Sequence, residues 1–457
     1  MRYFFIILFL LPLSSLHAEE IQEPALLPFG LPELPSASSD QPLFYLSFQN
    51  EHAFRELLFA PFSRLITTHK FQAVLQSEII YPFSIGKSFS ANENFSSDNT
   101  STSLGLTKPH GDFVTINREI DLGDKAIKIL ENIEYLLTPV GELQYEQKIR
   151  WFDASNLLRE ASSRLIISGN TNQSQYLKEY LLEFTAPTAL YSHTYVLQRF
   201  LDSQKDKLCI YSPILQRPRC VPSANKADAI FIEPLTLEDV YIWIENPTLV
   251  TARVVADTYK LVPFADKKEY SIAEIKTTSN VGEQEKEISS AYTIEGLLNF
   301  LERTGEQKQT TTLWNHQSAA FGMVPQWNPT SWVFVPRRVW IIEIYPKDIY
   351  ASYGKIILVV DQESNLPIYK MVFDQKNIFQ KMIIASWGKA SVHGSNPAQA
   401  FLSGLLIATT NDQFLTVTTD RVRFFDSMNH AYQEDFERIR KRVFVEETEE
   451  VEDANKN

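Results

Sequence analysis

From about residue 191 onward, apolar and polar positions alternate with the period of two that a half-buried strand requires. The clearest runs are residues 332–335, 339–344, 356–360, 368–373 and 379–385, rich in β-branched and aromatic side chains. Between them stand Pro346-Lys347-Asp348, Asp361-Gln362-Glu363-Ser364-Asn365 and Asp374-Gln375-Lys376-Asn377. Connectors this short cannot carry a parallel crossover, so successive runs are predicted to be neighbours in an antiparallel meander. Within it Tyr369, Met371 and Phe373 share one face, and Ile368, Lys370 and Val372 the other. A sheet with one strongly aromatic face buries that face under helices or curls around something.

Helical spacing occurs elsewhere. Residues 125–137 carry Ile127, Ile129, Leu130, Ile133 and Leu136-Leu137 at helical spacing, before Pro139 stops them. Residues 154–166 and 173–184, divided by Gly169-Asn170, also read as helices, whereas residues 51–75 fit helix or strand. Residues 292–303 carry Ile294, Leu297, Leu298 and Leu301, with Thr293 as cap and Gly305 beyond the end. Residues 397–409, opened by Asn396-Pro397, are apolar nearly all round and predict a core helix or a plug, too short to span a bilayer. Tyr432, Phe436, Ile439 and Val443 fall on one helical face near the C-terminus.

The two ends add location. One positive charge, Arg2, precedes a ten-residue apolar run, residues 4–13, and then Ser14-Ser15-Leu16-His17-Ala18. This is the layout of a secretory signal, with cleavage expected after Ala18, and no cysteine follows to accept a lipid. The Pro-rich stretch from residue 24 to 35 forbids helix and predicts a surface strap or a linker. Residues 88–103, nearly all Ser, Asn, Asp and Thr, read as an exposed loop. Residues 446–457 form an acidic tail, which composition predicts to be disordered.

Export makes the cysteines informative. Cys209 and Cys220 are the two in the chain, and their closeness predicts one disulfide across a hairpin. The alternative, a redox-active pair, lacks the C-x-x-C spacing. Two thiols alone cannot build a thiolate metal site.

Composition then narrows the function. Across 457 residues, 43 basic side chains stand against 56 acidic ones, a net charge of −13, which argues against a nucleic-acid partner. Thirty Phe, 19 Tyr and seven Trp against 15 Gly suit a large apolar interior and speak against glycine-rich phosphate cradles. None of H-E-x-x-H, G-x-S-x-G, the P-loop or G-x-G-x-x-G occurs, and the eight histidines are scattered without metal-ligand spacing. Ser391 and His393 point the same way on a strand, yet no orienting acid or elbow turn accompanies them. No catalytic residue, metal ligand or cofactor is therefore assigned, and the chain is expected not to be an enzyme. Arg217 and Arg219 near one hairpin, and Arg337 and Arg338 just before Trp340, have two readings. They are surface charges answering the acidic surplus, or guanidinium groups at a cavity mouth that would grip a head group.

Two segments resemble a known family. One is Cys209-Ile210-Tyr211-Ser212-Pro213 through Arg217-Pro218-Arg219-Cys220-Val221-Pro222, followed by Leu237-Glu238-Asp239-Val240-Tyr241 and Tyr259-Lys260-Leu261-Val262-Pro263-Phe264. The other is Arg337-Arg338-Val339-Trp340-Ile341-Ile342-Glu343, then Lys347, Tyr353-Gly354-Lys355, Asp361-Gln362-Glu363-Ser364 and Asp374. Together, over about residues 191–443, they resemble an uncharacterised family of exported proteobacterial proteins related to outer-membrane lipoprotein-sorting factors. The resemblance implies an α+β fold in which a curved antiparallel sheet, an unclosed barrel, is covered by helices and can hold acyl chains. The expected organisation of the whole chain is a signal peptide (1–18), a mixed and partly helical N-terminal region (19–185), the half-barrel (186–445) with a helical insertion near 265–331, and the acidic tail (446–457). The implied role is that of a periplasmic binding or carrier protein for a lipid, a lipoprotein acyl chain or another amphipathic ligand, peripheral to the outer membrane. An envelope transport complex is the implied partner. Candidate cavity residues are Trp340, Tyr369, Met371 and Phe373, with Arg217, Arg219, Arg337 and Arg338 as rim or head-group contacts. Two other readings stand beside it: a structural or partner-binding component of an envelope complex, its interior filled by its own side chains, and an exported hydrolase. An open apolar groove marks the carrier and a packed interior the structural component.

Overall fold

The protein is described from a computed structural model covering residues 44–75, 122–139, 142–169, 176–200, 206–231, 234–265, 270–272, 274–275, 324–329, 332–392 and 399–425. The expected signal sequence, Pro-rich leader, Ser/Asn loop, the helices at 292–303 and near the C-terminus, and the acidic tail all lie outside these residues.

The predicted meander is present as β12 (Trp332–Pro346), β13 (Lys355–Asp361), β14 (Pro367–Phe373) and β15 (Phe379–Val392), each antiparallel to the next. Beyond β15 the ladder continues through β16 (Gln399–Thr409) and β17 (Gln413–Phe425). β17 then pairs with β3 (Glu142–Asp153), from the N-terminal part of the chain. From β3 the sheet runs on through β4 (Asn156–Gly169), β5 (Tyr176–Ala186), β6 (Thr194–Phe200), β7 (Lys207–Ser212) and β8 (Arg217–Pro222). On the far side of the meander, β9 (Val250–Ala265) pairs with β12 along its whole length. Short strands complete a single sheet of seventeen among the described residues: β1 (Phe44–Leu46), β2 (Ala73–Leu75), β10 (Tyr270–Ile272) and β11 (Glu274–Ile275).

The sheet curls without closing. Among the described residues β8 pairs only with β7, and β9 reaches β15 through the single pair Phe264 and Trp387. The expected curved antiparallel sheet of an unclosed barrel is therefore observed, and residues 142–186 are part of it.

Three expected helices are strands. Residues 154–166 and 173–184 become β4 and β5, and residues 397–409 become β16. The pattern of β16 has a simple cause. It lies between β15 and β17 and is buried on both faces from Phe401 to Ala408, so it carries no polar face to reveal a period. The fit to Gly388 on the adjacent strand is close: a Cβ there would meet the Phe401 ring at 2.3 Å. For β4 and β5, pairing with β3 and β6 outweighs a weak local preference for helix.

The helical expectation for residues 125–137 holds in α2 (Leu122–Leu137), which buries Ile129, Leu130, Ile133 and Leu137. The ambiguous stretch near the start resolves into a 3₁₀ turn (Glu51–Leu57), α1 (Ala60–His69) and β2. Pro61 begins α1, where its missing N–H costs nothing, and Lys70 ends it in the left-handed region at φ 58°. Phe62 of α1 packs on Phe71, Phe334 and Tyr369 at ring separations of 5.2, 5.5 and 6.0 Å. Cys209 and Cys220 face each other across β7 and β8 and are joined, so the expected disulfide is present.

Candidate functional site

After β8 the chain does not return to the sheet edge. Residues 234–249 run into the concavity, where Leu235, Leu237, Val240, Tyr241, Ile242, Trp243 and Ile244 are each at most 2% exposed. This inner segment has no α-helix or named strand, only 3₁₀ turns at Leu237–Asp239 and Pro247–Leu249. Ile242 sits in the left-handed region at φ 55°, which a β-branched residue enters only at a cost of about 1–2 kcal/mol. Tyr241 is its centre: its hydroxyl is 2.9 Å from that of Tyr145, and its ring meets the Trp387 ring at 5.7 Å.

Burying this segment also buries its acids, and cations from the sheet meet them. Lys370 of β14, 1% exposed, donates to Glu238 Oε1 at 2.7 Å and to Asp239 Oδ1 at 3.1 Å. Asp239 also pairs with Lys381 of β15 and accepts from Thr236 Oγ1 at 2.7 Å. Glu245 pairs with Lys226 at 3.1 Å and accepts from the Tyr353 hydroxyl at 2.7 Å. Arg199 of β6, equally buried, donates to the Ile244 carbonyl and to Glu134 of α2, and lies 3.6 Å from Asp206. The inner segment is thus fastened by buried charges at two places, Glu238 and Asp239 near its start and Ile244 and Glu245 toward its end.

Their protonation follows from these neighbours. Burial alone would raise the Asp239 carboxyl, but Lys381 and Lys370 overcome it and hold the group down at about 2. Burial raises Glu238, and Lys370 only partly offsets it against the like charges of Glu245 and Asp239. For Glu245, Lys226 and the Tyr353 hydroxyl outweigh burial and lower it. Asp239 and Glu245 therefore contribute stability that is present above their unfolded values near 4 and is lost as pH falls through the folded ones. The contribution of Asp239 disappears between about pH 4 and pH 2. Glu238 has the opposite sign and stabilises as pH falls toward its unfolded value. Urea unfolding as a function of pH is thus expected to show stability maintained or rising down to about pH 5, then a steep loss below pH 4. A steady decline from neutral pH would contradict these assignments.

Two cavities flank the fastened segment. The larger, about 250 Å³, is lined by Thr236, Glu238, Asp239, Lys370, Lys381 and Gln413 among others. The smaller, about 130 Å³, includes Lys226, Glu245 and Lys347, and Glu238 and Tyr353 border both. No cluster of His, Cys, Asp or Glu suited to hold a metal occurs among the described residues.

The residues singled out from sequence are dispersed. Trp340 is buried, with the Lys125 ammonium of α2 5.7 Å from its ring centre. Tyr369 packs against Phe59 and Phe62 and donates to the Leu261 carbonyl. Met371 is buried, and Phe373 is half-buried between Lys355 and Phe379. None of these four lines either cavity, which the opposite face of β14, Lys370 and Val372, does instead. Arg337 grips Asp361 in a two-pronged pair at 2.8 and 2.6 Å and also meets Glu363 at 2.6 Å. Arg338 pairs with Asp257 at 2.7 Å. Arg217 and Arg219 are exposed on β8. What sequence reasoning missed is the set Glu238, Asp239, Glu245, Lys226, Arg199 and Lys370. The visible signal was Lys370 itself, a cation in the middle of the apolar run Ile368-Tyr369-Lys370-Met371-Val372-Phe373.

With this geometry in view, the chain is similar to several solved structures. A putative outer membrane lipoprotein-sorting protein domain from Vibrio parahaemolyticus aligns at 12% identity with a TM-score of 0.42, covering 66% of this chain and 93% of that one. A DUF1329 family protein from Desulfovibrio piger aligns at 11% identity with a TM-score of 0.44, covering 68% and 97%. A LolA superfamily protein from Nitrosomonas europaea aligns at 9% identity with a TM-score of 0.37, covering 65% and 93%. No family model matches the chain, and no curated protein does.

Proposed function

We propose that this is an exported, non-enzymatic binding or carrier protein whose curved sheet accepts the acyl chain of a lipid, lipoprotein or other amphipathic ligand. The observation that supports this reading is the unclosed, curled sheet with an apolar concave face, into which the inner segment is held by ion pairs rather than by strand pairing. The apolar concavity is filled by irregular chain held with ion pairs, so residues 234–249 occupy the seat an acyl chain would take. The space left beside them, about 250 Å³, is below the ~300–1,000 Å³ of small-molecule sites and is bordered by charge. A long chain therefore enters only as the inner segment withdraws, and at about 0.8 kcal/mol per methylene its burial replaces the apolar contacts given up. In this reading the protein works in the periplasm after cleavage at Ala18, beside the outer membrane, and hands its ligand to an envelope transport complex.

A second reading, a structural or partner-binding component, is favoured by the close packing of Tyr145, Tyr241 and Trp387 in the concavity. Native mass spectrometry of gently extracted protein, with retention of a fluorescent fatty acid, separates the two. The carrier reading expects lipid-sized mass increments and saturable retention. Bare protein that retains no fatty acid rejects it and leaves the packed component.

A further inference from the structure

The ladder directions place six connectors at one end of the curled sheet: residues 154–155, 187–193, 213–216, 347–354, 374–378 and 410–412. Neighbouring connectors are tied together there. Ala154 N–H donates to the Asp412 carbonyl, and Gln375 Nε2 donates to the carbonyls of Ala351 and Tyr353. This end carries the most exposed large apolar side chains of the described chain. Ile349 and Tyr350 are 82% and 78% exposed, Ile214 and Leu215 are 80% and 62%, and Ile378 is 56%. β4 meets β5 only from Ser162 onward, so its first residues overhang, and Leu157 and Leu158, on opposite faces, are both exposed.

Each of these tips also carries a cation within two positions: Lys347 beside Ile349, Lys376 beside Ile378, Arg159 beside Leu158, and Arg217 beside Leu215. Two acids of the same turns accept from backbone amides of their own turn, Asp348 from Tyr350 N–H and Asp374 from the N–H groups of Lys376 and Ile378. Among the described residues Arg217 and Arg219 form no ion pair. In a chain of net charge −13, this pairing of an apolar tip with a neighbouring cation is repeated on four separate hairpins.

We propose that this end of the sheet is a docking rim for an anionic lipid bilayer. The apolar residues project singly or in pairs from separate loops around an arc. A fluid apolar layer under negative head groups suits such an arrangement, because each tip inserts independently while its cation stays at head-group depth. Tyrosine beside aliphatic tips suits the interfacial zone. The larger cavity is lined by Ser352, Thr410 and Asn411 from the same connectors, so the docked rim turns its mouth toward the lipid. The inference does not depend on what the concavity holds.

Cosedimentation of the full chain with vesicles of phosphatidylglycerol and phosphatidylethanolamine, against phosphatidylcholine alone, tests it. The wild type is expected to bind the anionic vesicles. Ile349→Ser/Tyr350→Ser and Ile214→Ser/Leu215→Ser are each expected to weaken binding about tenfold or more. Arg217→Ser/Arg219→Ser is expected to abolish the preference for anionic lipid. Melting temperature and fatty-acid retention should stay at wild-type values, since the altered side chains are exposed and lie outside the concavity. The proposal is overturned if the wild type ignores anionic vesicles, or if the apolar double variants bind them equally well. It is equally overturned if those variants abolish a self-association seen by sedimentation velocity and leave vesicle binding intact, which would make the rim a protein interface.

Discussion

Replacing Lys370 with methionine is expected to lower the unfolding free energy by about 3–5 kcal/mol at neutral pH. The side chain is 1% exposed, and its ammonium bonds Glu238 and Asp239 together. Methionine fills much of the same volume, so the loss is electrostatic rather than a cavity. Asp239 keeps Lys381, but Glu238 is left buried without a bonded cation. The double variant Lys370→Met/Glu238→Gln should then recover most of the loss, because it removes the stranded charge along with its partner. The cost should also shrink as pH falls, because burial already raises the Glu238 carboxyl and favours its neutral form. Urea denaturation of the two variants at pH 7 and pH 5 measures all of this. A Lys370→Met protein as stable as wild type at pH 7 would mean that the inner segment is not held by this pair.

The same residue shows what could be read from the chain and what could not. The alternation in residues 368–373 correctly separated the Tyr369 face of β14 from the Lys370 face. The aromatic face, expected to line the site, packs under α1 instead, while the cavity is lined from the face that carries the charge. A lysine flanked by apolar residues is a signal that an acid must meet it, but the acids lie more than 130 residues away, on a segment without a periodic pattern. Residues 234–249 alternate large apolar side chains with Glu238, Asp239 and Glu245, which fits neither a surface helix nor a half-buried strand. Their place is set by cations on β14, β15 and the Ser223–Ala227 turn, which only the folded sheet brings together. The meander was legible because its connectors are short and polar. β16 was not, because a central strand buried on both faces looks, in sequence, like a buried helix.

Arg199→Met is the second large effect, expected at about 3–5 kcal/mol, and it reports on a different joint. Arg199 lies on β6 and connects three parts that share no strand pairing: α2 through Glu134, the stretch leading into β7 through Asp206, and the end of the inner segment through the Ile244 carbonyl. Glu134 keeps Lys178 at 3.4 Å after the substitution, whereas Asp206, whose carboxyl burial already raises, loses its adjacent cation. Arg199→Lys preserves the charge but cannot serve two acceptors and face Asp206 as the planar guanidinium does, so an intermediate loss of about 1–2 kcal/mol is expected. Hydrogen exchange distinguishes this joint from simple loss of stability. If Arg199 fastens the inner segment, amides of α2 and of residues 242–246 should exchange faster in Arg199→Met while the β12–β15 meander keeps its protection. Uniform acceleration across the meander would show instead that the arginine supports the sheet as a whole, and that the inner segment has no separate freedom to leave the concavity.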